Sequence, residues 1–202
     1  MPDSAIQPDL RAEEVAYWDA VAMTRGWKDN IFKRQRLIAK ILEEGPIGQR
    51  IVEIGVGNGL TAAVINLATL GNINYVGTDI SPVWCRVVEQ RWKLRMAHCD
   101  VRGIPIADAQ ADQIWAFDTL EHVRPEDRDA GNQEINRILA TKAKILLNVP
   151  LSPTKHDLQF DHPYDESDVA ALCAATGTRV TRMERYEAPE VGTAYQFVVL
   201  VR

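Results

Sequence analysis

The segment Arg50-Ile51-Val52-Glu53-Ile54-Gly55-Val56-Gly57-Asn58-Gly59-Leu60 constrains this chain more than any other. Its opening run, rich in Ile and Val, is of the kind that makes a buried parallel strand. It breaks into glycines at alternate positions and resumes as Leu60 to Ala68, a helical pattern with Leu60, Ala63/Val64 and Leu67 on one face. Strand, glycine turn and helix open a nucleotide-binding βαβ unit. The glycines let the backbone turn with no Cβ in the way, so a ligand can lie directly on the peptide groups.

A dinucleotide fingerprint requires Gly-x-Gly-x-x-Gly. Counted from Gly55 its third glycine falls on Leu60, which does not fit; counted from Gly57 it falls on Ala62, which the looser form tolerates. Spacing alone therefore leaves a nicotinamide-dependent oxidoreductase open. The acid two residues before the first glycine sets the stretch apart: Glu53-x-Gly55-x-Gly57-x-Gly59 resembles the first motif of class I S-adenosylmethionine (SAM)-dependent methyltransferases.

Later segments extend the resemblance. Asn74 to Thr78 reads as a second strand ending at Asp79, and Ser81 with Pro82 reads as the cap and first position of the next helix. A carboxylate there can accept from both hydroxyls of a ribose, a role shared by SAM and NAD sites. Gly77-Thr78-Asp79-Ile80-Ser81-Pro82 fits the family's "G-x-D-x-S-x" pattern. A helix over Pro82 to Arg91, burying Val83, Trp84 and Val87, leads to a strand over Lys93 to Cys99 that ends in Asp100-Val101. Gly103 to Asp108 resembles the "D-x-x-x-L-P-F-x-D" segment, Asp112 to Phe117 the fourth strand, and Leu120-Glu121-His122-Val123 matches "L-E-H-V" letter for letter. The resemblance runs from Ile51 to Val149 and is nearest to the small-molecule (type 11) branch. It departs from the family at Leu139 to Ala143, where a Lys-Pro-Gly-Gly turn is usual.

The resemblance implies an α/β fold: a Rossmann-like, doubly wound, seven-stranded sheet, mostly parallel, with an antiparallel last strand. It assigns cofactor contacts to Glu53 (amino acid end of SAM), to Gly55, Val56, Gly57 and Gly59 (the turn beneath it), to Asp79 and Ile80 (ribose), to Asp100 and Val101 (adenine), and to Phe117, Asp118 and His122 after the fourth strand. SAM is the implied cofactor and S-adenosylhomocysteine its product.

Before the core, two helical patterns run over about Leu10 to Arg25, with Val15, Trp18 and Ala22 on one face, and Asn30 to Glu44, with Ile31, Ile38, Ile41 and Leu42 inward. Lys33, Arg34, Arg36 and Lys40 lie opposite and read as a solvated face. Residues 1–45 thus form N-terminal cap helices and 46–202 the SAM-binding core, one globular domain overall. Such a cap shapes the acceptor pocket in the family, which makes Tyr17, Trp18 and Trp27 pocket candidates; the competing reading is aromatic packing at a helix junction.

After a helix from Pro125 to Leu139 and a strand from Lys144 to Val149, the segment Pro150 to Asp165 carries His156, Asp157, Asp161 and His162. A helix from Glu166 to Thr176 and strands over Arg179–Glu187 and Ala194–Val201 close the chain. An acceptor hydroxyl needs a base, and His serves near neutral pH, so His162, His156 and His122 are the catalytic candidates. The loop's spacing matches no metal site, and no metal is expected.

Net charge is −5 with acids and bases mixed, which argues against a partner held by nucleic-acid phosphates. Cys85, Cys99 and Cys173 form no disulfide or metal pattern, and neither a leader pattern nor a membrane-length apolar run is present. The expectation is a cytoplasmic enzyme that methylates a small molecule. The rivals are a SAM-binding sensor or partner protein without turnover, and a methyltransferase acting on protein or RNA.

Overall fold

In the computed structural model the described residues are 12–25, 31–151, 160–188 and 193–202. Trp27, His156 and Asp157 fall outside them, as do the side chains of Ile31 and Lys33. Helices α1 (Ala12–Arg25) and α2 (Ile31–Glu43) precede strand β1 (Arg50–Ile54). Then follow α3 (Leu60–Ala68), β2 (Asn74–Asp79), α4 (Pro82–Trp92), β3 (Met96–His98) and β4 (Ala111–Phe117). The second half is α5 (Arg128–Ile138), β5 (Leu139–Pro150), α6 (Glu166–Thr176), β6 (Arg179–Ala188) and β7 (Thr193–Val201). No described helix is long and apolar enough to cross a membrane.

The strands form one sheet in the order β3-β2-β1-β4-β5-β7-β6, with β7 antiparallel to both neighbours and the remaining pairs parallel. Strand order reverses between β1 and β4, so a crevice opens at their carboxyl ends. Alternation along the central strands divides the core. Ile51, Tyr75, Trp115, Leu146 and Phe197 meet Leu37, Ile38 and Ile41 of α2, Ala62 and Ile65 of α3, and Val88 of α4. Val52, Ile54, Ile114, Ala116, Ile145 and Val198 face the opposite way, onto Ile135 and Ile138 of α5 and Val169 and Leu172 of α6. This is the seven-stranded, doubly wound architecture implied by the motifs.

Several inward faces differ from the sequence reading. Helix α3 buries Thr61, Ala62 and Ile65, while Leu67 is 76% exposed. The helix is apolar nearly all round, so periodicity does not set its phase; the left-handed turn at Gly59 does. Helix α4 buries Trp84, Cys85 and Val88 and leaves Val83 and Val87 half-buried. In α2, Leu37 takes an inward place and Leu42 is exposed. The basic side of α2 is docked rather than solvated: Lys40 pairs with Glu184, Arg36 donates to the Glu187 carbonyl, and Arg34 lies 3.4 Å from Asp118. Strand β5 begins at Leu139 instead of Lys144, since Leu139, Ala140 and Ala143 are already buried in the place of the expected glycine turn.

Candidate active site

The three glycines after β1 do different things. Gly55 (φ 68°) sits against Thr119, and a Cβ there would come within 2.3 Å of Thr119 Cγ2. Gly59 (φ 70°) sits against α4, where a Cβ would lie 2.9 Å from a Val88 methyl. Gly57 (φ 56°) is the open one: a Cβ would meet no described atom within 4 Å. Both flanking glycines are thus required by packing, and the middle one leaves space above the backbone.

Asp79 closes one side of that space. Its Oδ2 accepts from the Gly57 amide at 2.8 Å and its Oδ1 from the Ser81 amide at 2.8 Å. Burial pushes its pKa up to about 6, against the pull of these two amides. Ser81 caps α4 by accepting from the Trp84 amide at 3.1 Å, with Pro82 at the first helical position. Its hydroxyl also donates to Asp19 of α1, a residue with no signal in the sequence pattern. The Ile80 carbonyl lies 3.0 Å from His98 Nε2.

Glu53 is 3% exposed and accepts from the Tyr75 hydroxyl at 2.6 Å. Burial pushes its carboxyl up to about 7, while the Tyr75 hydrogen bond and the charge of Arg34 pull it down. At the end of β3, Asp100 is held by Arg102: Oδ1 accepts from its backbone amide and Nε, both at 2.8 Å, and Oδ2 from Nη2 at 2.7 Å. Val101 packs toward Gly131 of α5.

The turn after β4 brings the remaining groups together. The Phe117 ring is buried beside Trp115, at 5.8 Å between centroids, so its backbone is what lies at the strand end. Asp118 (φ 55°) accepts from Asn148 Nδ2 at 2.9 Å, and Asn148 Oδ1 accepts from the Tyr186 hydroxyl at 2.7 Å. His122 Nδ1 lies 2.9 Å from Oδ1 of the buried Asp161, and its ring is 4.7 Å from that of Trp18. His162 reaches the same turn through its backbone, its amide donating to the Glu121 carbonyl at 2.8 Å.

Helix α1 spans these groups. It is fixed by Asp19 at the start of α4, by Glu14 pairing with Arg124 at 2.6 Å, and by Tyr17 against Phe160 at 4.6 Å. Tyr17 and Trp18 therefore pack against Phe160 and His122, as the reading of them as junction aromatics has it. Arg34, Asn148, Asp161 and Tyr164 join this region from elements distant in sequence.

These residues fit SAM. The side of Gly57 on which a ligand would lie is open, and each Asp79 oxygen, engaged by one amide, keeps a second acceptor position for a ribose hydroxyl. Asp100 Oδ2 accepts one bond and has a position left for an amine.

Comparison with known proteins agrees. The model of a family described as "Methyltransferase domain" matches residues 51–142. A curated O-methyltransferase of Pyrenophora dematioidea is 28% identical over 105 residues, which cover 48% of this chain and 38% of that protein. The chain thus spans well under half the length of that relative. Magnesium protoporphyrin IX methyltransferase of Synechocystis PCC 6803, solved with bound SAM, superposes with a TM-score of 0.74 at 15% identity, over 98% of this chain and 100% of that one. A Burkholderia thailandensis 1,6-didemethyltoxoflavin-N1-methyltransferase, solved with its acceptor and S-adenosylhomocysteine, gives 0.71 at 19% identity, over 99% and 92%. At these identities the two structures bear on the fold alone. Over residues 51–142, a little under half of its length, the chain is similar to the methyltransferase-domain family.

Proposed function

We propose that this protein transfers a methyl group from SAM to a small-molecule acceptor at the carboxyl edge of its sheet. The observation that carries the reading is the Gly57–Asp79 contact, which sets a carboxylate beside an open glycine backbone. Gly55, Val56, Gly57 and Gly59 form the floor, Glu53 serves the amino acid end, Asp79 and Ile80 the ribose, Asp100 and Val101 the adenine, and Phe117, Asp118 and His122 the methyl end. When bound, SAM supplies an electrophilic methyl carbon on a sulfonium and leaves as S-adenosylhomocysteine.

The chain's own part is alignment, exclusion of water and removal of a proton. We assign the last to His122. Asp161 orients its ring through Nδ1, so the acceptor's proton goes to Nε2, the nitrogen away from Asp161, and the imidazolium formed is stabilised by that carboxylate. Trp18 and Tyr17 cover this end. His162 and His156 are the other proposed bases.

A small acceptor is supported by the relatives' O- and N1-methyltransferase descriptions and by the acids Glu121, Asp161, Asp165 and Glu166 around the adjoining cavity, which repel a nucleic-acid backbone. Free thiols at Cys85, Cys99 and Cys173 support a cytoplasmic location.

Calorimetric titration with SAM, S-adenosylhomocysteine and NAD, repeated on Asp79→Ala, tests the reading. Binding of both adenosyl ligands, lost in the variant, with weak NAD binding supports it. NAD binding without SAM binding overturns it.

A further inference from the structure

At the carboxyl edge, on the face covered by α5 and α6, lies a cavity of about 420 Å³. None of the residues assigned above to the methyl donor lines it. Its wall runs from Glu121 in the turn after β4, past Pro150 and Leu151 at the end of β5, to Tyr164 before α6 and to Arg185 and Gln196 on the last two strands.

Two groups in this wall are buried without a hydrogen-bond partner among the described residues: Glu121 Oε2, in a residue 4% exposed, and the Tyr164 hydroxyl, in a residue 7% exposed. A buried polar atom left unpaired loses its hydration and receives nothing in exchange. The two residues that carry them line one cavity, which marks it as a place for a polar guest. The wall is fixed around them. Arg128 donates from Nε to the Val123 carbonyl at 3.2 Å and from Nη1 to Asp168 at 2.7 Å, and its guanidinium lies 5.1 Å over the Tyr164 ring. The His162 amide ties the loop to the Glu121 carbonyl.

The charge of the wall sets the guest's chemistry. Arg185 pairs with Glu166 at 3.1 Å at an exposed rim, and Asp165 is engaged in capping α6. Asp161 lines the cavity as well as orienting His122, which links the cavity to the proposed base. Of the acids, that leaves Glu121 deep in the wall beside the buried Gln196, its carboxyl pushed up to about 7 by burial and by Asp118 and Asp161, with His122 opposing.

We propose that this cavity binds the methyl acceptor, a small neutral or cationic molecule whose hydroxyl or amino group donates to Glu121 and also meets the Tyr164 hydroxyl. The inference rests on the methyltransferase reading and narrows its substrate class, since a carboxylate in this position would meet the unpaired Glu121 in an acid-rich wall. Glu121 and Tyr164 determine which acceptor is admitted; neither is assigned to the methyl donor.

The test uses three probes of one size, benzylamine, benzyl alcohol and benzoate, titrated by NMR into the full chain saturated with S-adenosylhomocysteine. Wild type is expected to bind the amine and the alcohol, with benzoate weaker by about tenfold or more. Glu121→Gln should weaken benzylamine by about tenfold or more and narrow its margin over benzoate. Tyr164→Phe, nearly isosteric, should weaken both donors and carries the test if the first variant does not fold. Equal binding of all three probes, binding of none, or variants that bind like wild type would overturn the proposal. S-adenosylhomocysteine binding, measured alone and on Asp79→Ala, reports separately on the methyltransferase reading.

Discussion

The Gly57 amide donates to Asp79 Oδ2 at 2.8 Å, so the middle glycine of the turn after β1 and the acid ending β2 form one unit. The carboxylate holds the turn in its left-handed conformation, and the turn holds the carboxylate at the edge of the open space. Asp79→Asn should weaken S-adenosylhomocysteine binding, because an amide has one acceptor oxygen where the carboxylate has two. The wild-type affinity should itself fall as pH drops through about 6, where the buried carboxyl takes up a proton. Isothermal titration between pH 5 and 8 reads both; an affinity flat across that range would remove Asp79 from the ribose site.

The glycines should separate in a two-readout experiment. Gly55→Ala drives a Cβ to within 2.3 Å of Thr119 Cγ2 and should cost roughly 2–4 kcal/mol of stability. Gly57→Ala meets no described protein atom within 4 Å and should cost only about 1 kcal/mol for its left-handed backbone, yet it projects into the space proposed for the ligand and should weaken S-adenosylhomocysteine. Urea unfolding and calorimetry on the pair check the contrast.

Glu53 predicts the stability profile. Burial raises its folded pKa from 4.5 to about 7, so the folded state binds the proton more tightly than the unfolded chain does. Stability from this group is full below about 4.5 and is lost as pH rises through about 7. Its ionisation opposes folding at alkaline pH by roughly 3 kcal/mol. Glu53→Gln keeps an oxygen for the Tyr75 hydroxyl and should gain stability on wild type between pH 6 and 8.5. Thermal melts across that range measure it; parallel curves would assign the pH dependence elsewhere.

Tyr186 donates to Asn148, which in turn donates to Asp118, so a polar chain crosses from β6 to the end of β4. Tyr186→Phe leaves the buried Asn148 Oδ1 without this donor and should cost about 1–2 kcal/mol. The chemical-denaturation midpoint should fall with an unchanged slope.

For catalysis, His122→Gln should lower kcat about 100-fold or more with any acceptor found, a loss larger than any accompanying change in S-adenosylhomocysteine affinity. Asp161→Asn should lower it less and displace the pH profile, since it acts by orienting the ring. Equal activity of His122→Gln and wild type would pass the role to His162 or His156.

The sequence alone determined what depends on neighbours along the backbone. The β1 strand, its glycine turn, Asp79 at the next strand end and the Ser81-Pro82 cap are all readable because their chemistry is local: left-handed φ, a capping hydroxyl, a ring at the first helical turn. Taken in order, those local pieces carry the family resemblance that implied the fold. Tertiary structure decided what depends on distant partners. An apolar helix such as α3 has no phase of its own until Gly59 packs on Val88 and Trp92. The basic face of α2 looks solvated until β6 supplies Glu184 and the Glu187 carbonyl. His122, the proposed base, gains an orienting carboxylate only when the chain returns Asp161 to 2.9 Å from it, and Glu121 and Tyr164 come to line one cavity for the same reason. Side-chain function across a sheet edge is set by which strand ends become neighbours, and one-dimensional periodicity carries no record of that.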